Sequence, residues 1–430
     1  MKKSIVLLVM LALLAAVCNA FAADQEITIL LETVPDTNYI REVVPQFEAE
    51  TGIKVNIEEI TYVGMHEKLI SQLVGAAHSG SYDVIVVDKN WTGEFIGADW
   101  VLPLDEFIER DGFDTSVYIP SLFAQLGYYN GVTYMLPFYN YTMGLFYRTD
   151  LINDPEEQAA YKAKYGTDLK VPETIDEMIQ VAEFFTRDED GDGEKDMYGV
   201  VQQLARGVGI HAEWANILFG LDGWYYDDDW NARVNDAAGV KALESMITLY
   251  KNSGPAGSTA YNFDEQSAMF SSGKAAMMYS YTTQYAPFAA TEVAGKFDMA
   301  VAPGGHGVNG GWGWAIPRTA PDYELSWKFL KWVESYEIAH QRAALGGSPT
   351  QIPVFEAEDL REKYPFYDVE LDMIATGQPI PIFAGSAAMI DVLATELSEA
   401  TADGKDPQAA LDAAAAQMNE LVKNDPLTGK

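Results

Sequence analysis

Apolar positions along this chain switch between helical and strand periods in a regular order. Before that order begins, Lys2 and Lys3 precede an unbroken apolar run over 5–17, and small residues lead to Ala20-Phe21-Ala22. A basic region, a short apolar region and an Ala-x-Ala site predict a signal peptide over 1–22, removed on export. The run is too short for an ordinary transmembrane helix. Beyond it, 26–31 reads as a strand. A turn at Pro35-Asp36-Thr37 leads into a helix with Ile40, Val43, Val44 and Phe47 on one face, and Gly52 stops that helix before a strand over 53–57. A helix over 65–74, a continuously apolar strand over 83–87 and a helix over 91–96 follow. The alternation predicts an α/β fold with a mostly parallel sheet covered on both faces.

The aromatic run over 133–148 exceeds one strand, so it is expected to cross between two sheets, with Tyr139, Asn140 and Tyr141 at a hinge. A second α/β region shows helices over 173–184, 213–219 and 238–250, then strands over 275–279 and 297–301. The glycine-rich stretch 304–313 lacks the Lys-Ser/Thr ending of a phosphate-binding loop, which leaves a connector displaying Trp312 and Trp314.

Ligands of open α/β sheets sit beyond the carboxyl ends of the strands. The loops there are 33–38 and Asp88-Lys89-Asn90-Trp91, which nominates Asn90 to hold a hydroxyl and Trp91 to stack on a ring, the alternative being that Trp91 fills the core. Charge narrows the partners: 28 basic against 64 acidic residues give −36, a surface that repels nucleic acid and anionic lipid. Cys18, the single cysteine, lies inside the predicted signal, so the exported chain has no disulfide. Val17 before it argues against a lipid anchor, and a free periplasmic monomer is expected.

Several segments in this order resemble the extracellular solute-binding proteins of family 1, which serve carbohydrate ABC transporters and include the maltose-binding type. They are Phe47-Glu48-Ala49-Glu50-Thr51-Gly52-Ile53-Lys54-Val55, Tyr82-Asp83-Val84-Ile85, Val101-Leu102-Pro103-Leu104-Asp105 and Tyr147-Arg148-Thr149-Asp150-Leu151. Phe270-Ser271-Ser272-Gly273-Lys274-Ala275-Ala276-Met277 and Trp314-Ala315-Ile316-Pro317 complete the set. The resemblance implies the type II periplasmic binding fold: two discontinuous α/β lobes, 24–139 with 303–340 and 140–302 with 341–430, hinged near 137–141. It implies capture of a small sugar or sugar alcohol for the membrane permease of an ABC importer, with no catalysis. By similarity it nominates Asn90, Trp91, Tyr139, Tyr141, Ser280, Tyr281 and Thr283; Thr283 stands where the maltose-binding type has an aromatic. Tyr39, Trp214, Trp224 and Trp312 join them because aromatic faces suit a sugar's carbon-hydrogen face.

No cofactor is required by this reading. Asp188, Asp190, Asp192 and Asp196 occupy positions one, three, five and nine of an EF-hand-like loop, with Glu194 among them and Gly193 at six. Position twelve is Gly199 instead of Glu, so calcium would bind weakly or take a distant ligand; an acidic turn is the competing reading. A secreted glycosidase would also use aromatics and paired carboxylates, but no G-x-S-x-G or H-E-x-x-H motif occurs and the histidines lack ligand spacing. Ferric-ion binding by Tyr128-Tyr129 or Tyr225-Tyr226 in the same architecture is the other alternative.

Overall fold

The computed structural model describes residues 25–428 apart from 189, 424 and 426. The predicted signal peptide, with Cys18, lies outside the described residues. Among them no helix is long and apolar enough to cross a membrane.

The described residues build two main sheets and a two-stranded ribbon of 128–129 with 132–133. The first contains β1 (Glu26–Glu32), β2 (Lys54–Ile60), β3 (Val84–Asp88), β4 (Leu136–Asn140) and, much later, β9 (Gly311–Ala315), in the order β2-β1-β3-β9-β4. The second contains β5 (Met143–Arg148), β6 (Tyr198–Val200), β7 (Ala275–Tyr281) and β8 (Phe297–Ala300), in the order β8-β5-β7-β6. The long aromatic run thus divides as expected: β4 closes one sheet, Tyr141-Thr142 crosses, and β5 opens the other.

All strands but one of each sheet run in the same direction, as the alternation predicts, and the exceptions are β9 in the first and β5 in the second. In the first, β1 runs parallel to β2 and β3, but β9 is antiparallel to both β3 and β4. In the second, β5 is antiparallel to β7 and β8, and only β6 pairs parallel, with β7. Parallel neighbours need a crossover on their own sheet. A strand such as β9, returning from the other lobe, is free of that constraint.

Two presumed loops are helix starts. Pro35 occupies the first turn of α1 (Pro35–Thr51), where its missing N–H costs nothing, so the 33–38 loop shrinks to two residues. The helix ends at Gly52, with φ 73° and its N–H on the Glu48 carbonyl. After α2 (Tyr62–Leu73), Asp88 caps α3 (Lys89–Gly97) by accepting from the Asn90 N–H at 2.9 Å, which places Asn90 and Trp91 on a helical first turn.

Each sheet has its own core, with β3 buried along its whole length in the first and β7 buried at six of seven positions in the second. A third cluster joins α4 (Pro120–Leu126) to later helices. Leu122 and Leu126 pack with Ala339 and Ala343 of α6 (Tyr336–Leu345), whose Ile338 reaches the first core. The boundary drawn at 340/341 therefore falls inside a helix, and chain beyond it packs against the first lobe: Val354 and Phe355, then Tyr367 and Ile374 of α7 (Tyr367–Thr376), join that cluster.

Three segments cross between the lobes side by side. Tyr141 N–H donates to Gly310 O, Met143 N–H to Val308 O, Asn309 N–H to Gln378 O and Gln378 N–H to Gly307 O. Asn309, fully buried, ties all three: its Oδ1 accepts from Thr142 Oγ1 at 2.7 Å and its Nδ2 donates to Ile374 O at 3.0 Å. Asn309→Ala should cost about 2 kcal/mol or more, because two buried partners lose their bonds. Denaturant unfolding would check it, with a change below experimental error refuting the role.

Candidate functional site

The carboxyl ends of β1 and β3 bring Glu32, Asp36 and Asp88 to one side of the space between the lobes. Tyr139 donates to Glu32 Oε2 and Tyr141 to Asp88 Oδ1, each at 2.8 Å. Asp36 Oδ1 accepts from the Ser348 N–H at 3.1 Å. Lys89, only 3% exposed, donates its ammonium to the Asn309 carbonyl. Tyr62 is partly exposed and stacks on Trp91 at 5.2 Å, with its hydroxyl beside Asp88 and Asn90.

The second lobe faces this group with Tyr281, partly exposed at the end of β7 and edge-on to Tyr141 at 5.6 Å. Burial raises the pKa of its hydroxyl, and the carboxyl groups of Asp88, Glu213 and Glu32, from both lobes, add to that rise. Glu213 sits on α5 (Val208–Gly220), fully buried, with Oε1 accepting from the Gln203 N–H at 3.1 Å and Gln266 Nε2 at 2.7 Å. Its Oε2 has no hydrogen-bond partner among the described residues, and neither do Tyr279 OH, Ser280 Oγ and Gln203 Nε2. Buried polar atoms are ordinarily paired, so this wall holds unspent hydrogen-bonding capacity.

The nominated residues therefore divide. Asn90, Tyr139, Tyr141, Ser280 and Tyr281 come together around the cleft, and Asn90 Oδ1 is itself unpartnered. Trp91 is 4% exposed; besides Tyr62 it touches His66 at 5.0 Å and the edge of Trp312 at 5.3 Å. Trp312 lies on β9, not in a connector, and stacks on Tyr139 at 6.2 Å. Trp214 is fully enclosed in the second core, with its indole N–H on Gly239 O, and Trp224 packs on Phe219 in the same core. Tyr39 and Thr283 lie at the hinge side, near Gly346 and along a small cavity bordered by Gly346, Tyr364 and Glu370. Of the adjacent tyrosines, Tyr225 is buried with its hydroxyl on His211 Nε2, and Tyr128-Tyr129 form an edge ribbon.

Glu32, Tyr62 and Glu213 escaped notice in the sequence, and Asp88 and Lys89 figure there only as members of the 88–91 loop. Glu213 stands mid-helix, and nothing but the unusual polarity of Gln202-Gln203 before it hinted at a polar wall.

Desolvation governs the charges here. Burial pushes Glu213 up to about 8, against the hydrogen bonds from Gln203 and Gln266. Burial lifts Glu32 to about 8 despite the Tyr139 bond, with Asp88 and Asp36 adding repulsion. The same effect pushes Lys89 down to about 7, although Asp88 opposes it. At neutral pH Glu213 and Glu32 are thus largely protonated and can donate as well as accept.

The acidic loop lies apart from this cleft. Carboxylate oxygens of Asp188, Asp190 and Asp196 lie within 4.8 Å of one another, close enough to hold a metal ion. Asp192 and Glu194 do not join that group: Asp192 Oδ1 accepts from the Glu194 N–H at 2.8 Å. Asp188 accepts from the N–H groups of Gly191 and Gly193, so the loop also closes on itself as an acidic turn.

Two discontinuous α/β lobes joined by crossing segments, with a polar cleft between them, define the architecture of a periplasmic binding protein. The chain belongs to the bacterial extracellular solute-binding proteins, whose family pattern matches residues 33–339. These are extracytoplasmic binding proteins and not enzymes. The mannitol-binding protein of Pseudomonas aeruginosa is 24% identical over 394 residues, 86% of this chain and 84% of that protein. A probable ABC transporter-binding protein of Deinococcus radiodurans is 25% identical over 322 residues, 71% of this chain and 72% of its own. Among solved structures, a ribitol-bound solute-binding protein of Agrobacterium radiobacter superimposes with a TM-score of 0.79 at 24% identity, covering 92% of this chain and 98% of that one. Maltose-bound MalE3 of T. maritima gives 0.78 at 22% identity, covering 92% and 100%.

Glu213 has a pH signature. Its folded value of about 8 exceeds the ordinary 4.5, so the folded state holds a proton that the unfolded state has released between those values. Its contribution is fully present below 4.5 and is lost as pH rises toward 8. Glu213→Gln should flatten that part of the stability profile, measured as melting temperature against pH; an unaltered slope would contradict a buried, protonated Glu213.

Proposed function

We propose that the protein captures a small sugar or sugar alcohol between its lobes and delivers it to the membrane permease of an ABC importer. The observation that carries this reading is Tyr281 of the second lobe, edge-on to Tyr141, which bonds to Asp88 of the first, beside buried unpartnered polar atoms of the second. A polyol's hydroxyls can both donate and accept, which suits protonated carboxyls, amides and tyrosines, and its carbon-hydrogen face suits an aromatic ring. The mannitol-binding relative and the ribitol- and maltose-bound neighbours support the same ligand class. Tyr62 and Tyr281 act as the stacking surfaces, Trp91 backs Tyr62, and Asn90 holds a hydroxyl. The exported protein works as a free periplasmic monomer whose lobes rotate about the crossings, since a ligand touching both walls favours closure.

Tyr62→Ala and Trp91→Ala separate the roles. Tyr62→Ala should keep native-like melting and lose about 1.5 kcal/mol or more of binding by contact area, roughly tenfold or more in affinity. Trp91→Ala should lower the melting temperature as well. Calorimetry with mannitol and ribitol, beside thermal unfolding, checks both; unchanged affinity in Tyr62→Ala removes it from the site.

For the acidic loop, the proposal is a structural calcium ion held by Asp188, Asp190 and Asp196, away from the sugar. An ion bound to the folded loop raises stability by mass action. Added calcium should therefore raise the melting temperature, and chelator should reverse the rise without altering sugar affinity. Identical melting in both would leave an acidic turn.

A further inference from the structure

One end of the cleft carries information about ligand length. On α3, Lys89, Asn90 and Gly93 share one helical face, the one turned to the second lobe. Gly93 is buried against the backbone of Phe383, so closely that a methyl group there would run into Phe383 N, C and O together. The 381–386 segment that carries Phe383 is a fixed turn. Ser386 Oγ accepts from the Phe383 N–H at 2.9 Å and lies 2.8 Å from Pro381 O, while the Phe383 ring is fully buried against Tyr226 and Trp230 of the second lobe. Next to Asn90, therefore, the lobes meet backbone to backbone.

At the start of α1 another segment packs, with small cavities beside it. Asp36 accepts from the Ser348 N–H, and the Tyr39 hydroxyl lies over Gly346, so the 346–348 segment sits on the start of α1. Tyr62, stacked on Trp91, has its hydroxyl beside Asn90, next to the Phe383 seat.

We infer that the Phe383 turn seated on Gly93 is a length gate, which limits the ligand to a single sugar ring or an open chain of comparable size and excludes oligosaccharides. The inference rests on the carbohydrate reading above and goes further, because that reading accommodates maltose as readily as mannitol. A longer ligand would have to extend past Asn90, where the two backbones are already in contact. Opening that contact would forfeit the closed arrangement that lets both walls touch the ligand.

The test is calorimetry on the full exported chain with ribitol, mannitol, glucose, maltose and maltotriose. At least one of the first three should bind, and maltose and maltotriose should bind at least a hundredfold more weakly than it. Maltotriose binding as tightly as the best small ligand would overturn the gate while leaving the carbohydrate reading intact; silence from all five would overturn both.

Gly93→Ala tests the seat itself. Alanine favours a helix over glycine, so the ligand-free variant should melt no lower than the parent if the lobes part to accept the methyl group. Its affinity for the best small ligand should drop tenfold or more, because closure over that end is blocked. Parental affinity in Gly93→Ala would show that the seat is not made in the bound state and would overturn the proposal.

Discussion

The amide of Asn309 is where the structure is held together across its lobes. Three separate stretches of chain pass between the sheets, and one buried side chain bonds to the other two while its own backbone carbonyl receives Lys89. A buried amide leaves little tolerance, since each group left unpaired is costly. The crossings are thereby kept adjacent along one narrow line. Tyr141 joins this hinge to the cleft: its backbone pairs with Gly310 and its hydroxyl with Asp88.

Around that line the cleft concentrates acids in a low-dielectric space. Glu32, Asp36, Asp88 and Glu213 are all raised by burial, and Lys89 is lowered. Such a lining favours neutral, hydrogen-bonding ligands over anions, because a second negative charge would meet both desolvation and repulsion. The strongly acidic exterior is a separate matter of solubility and partner exclusion and does not choose the ligand.

The two cores explain why aromatic residues misled as site markers. Trp214 and Trp224 pack in the second core, and Trp312 and Trp91 pack edge to face in the first, which leaves smaller tyrosines to reach the cleft. A large ring buries the most apolar area wherever it sits, so its presence in a sequence says little about which way it faces.

The sequence by itself determined the elements and their order. Alternating periods, Gly52 as a helix stop and an aromatic run too long for one strand are local properties, readable without knowing any neighbour. They gave alternating α/β elements and a crossing within 133–148, expected at Tyr139 to Tyr141, while the two lobes came from the resemblance. Only the tertiary structure decided the one reversed strand of the first sheet, since β9 returns from the other lobe and pairs antiparallel for reasons hundreds of residues away. It also decided the site. Glu32, Glu213 and Tyr281 are 181 and 68 residues apart in steps along the chain, and no local pattern marks residues whose chemistry arises from shared burial between two lobes.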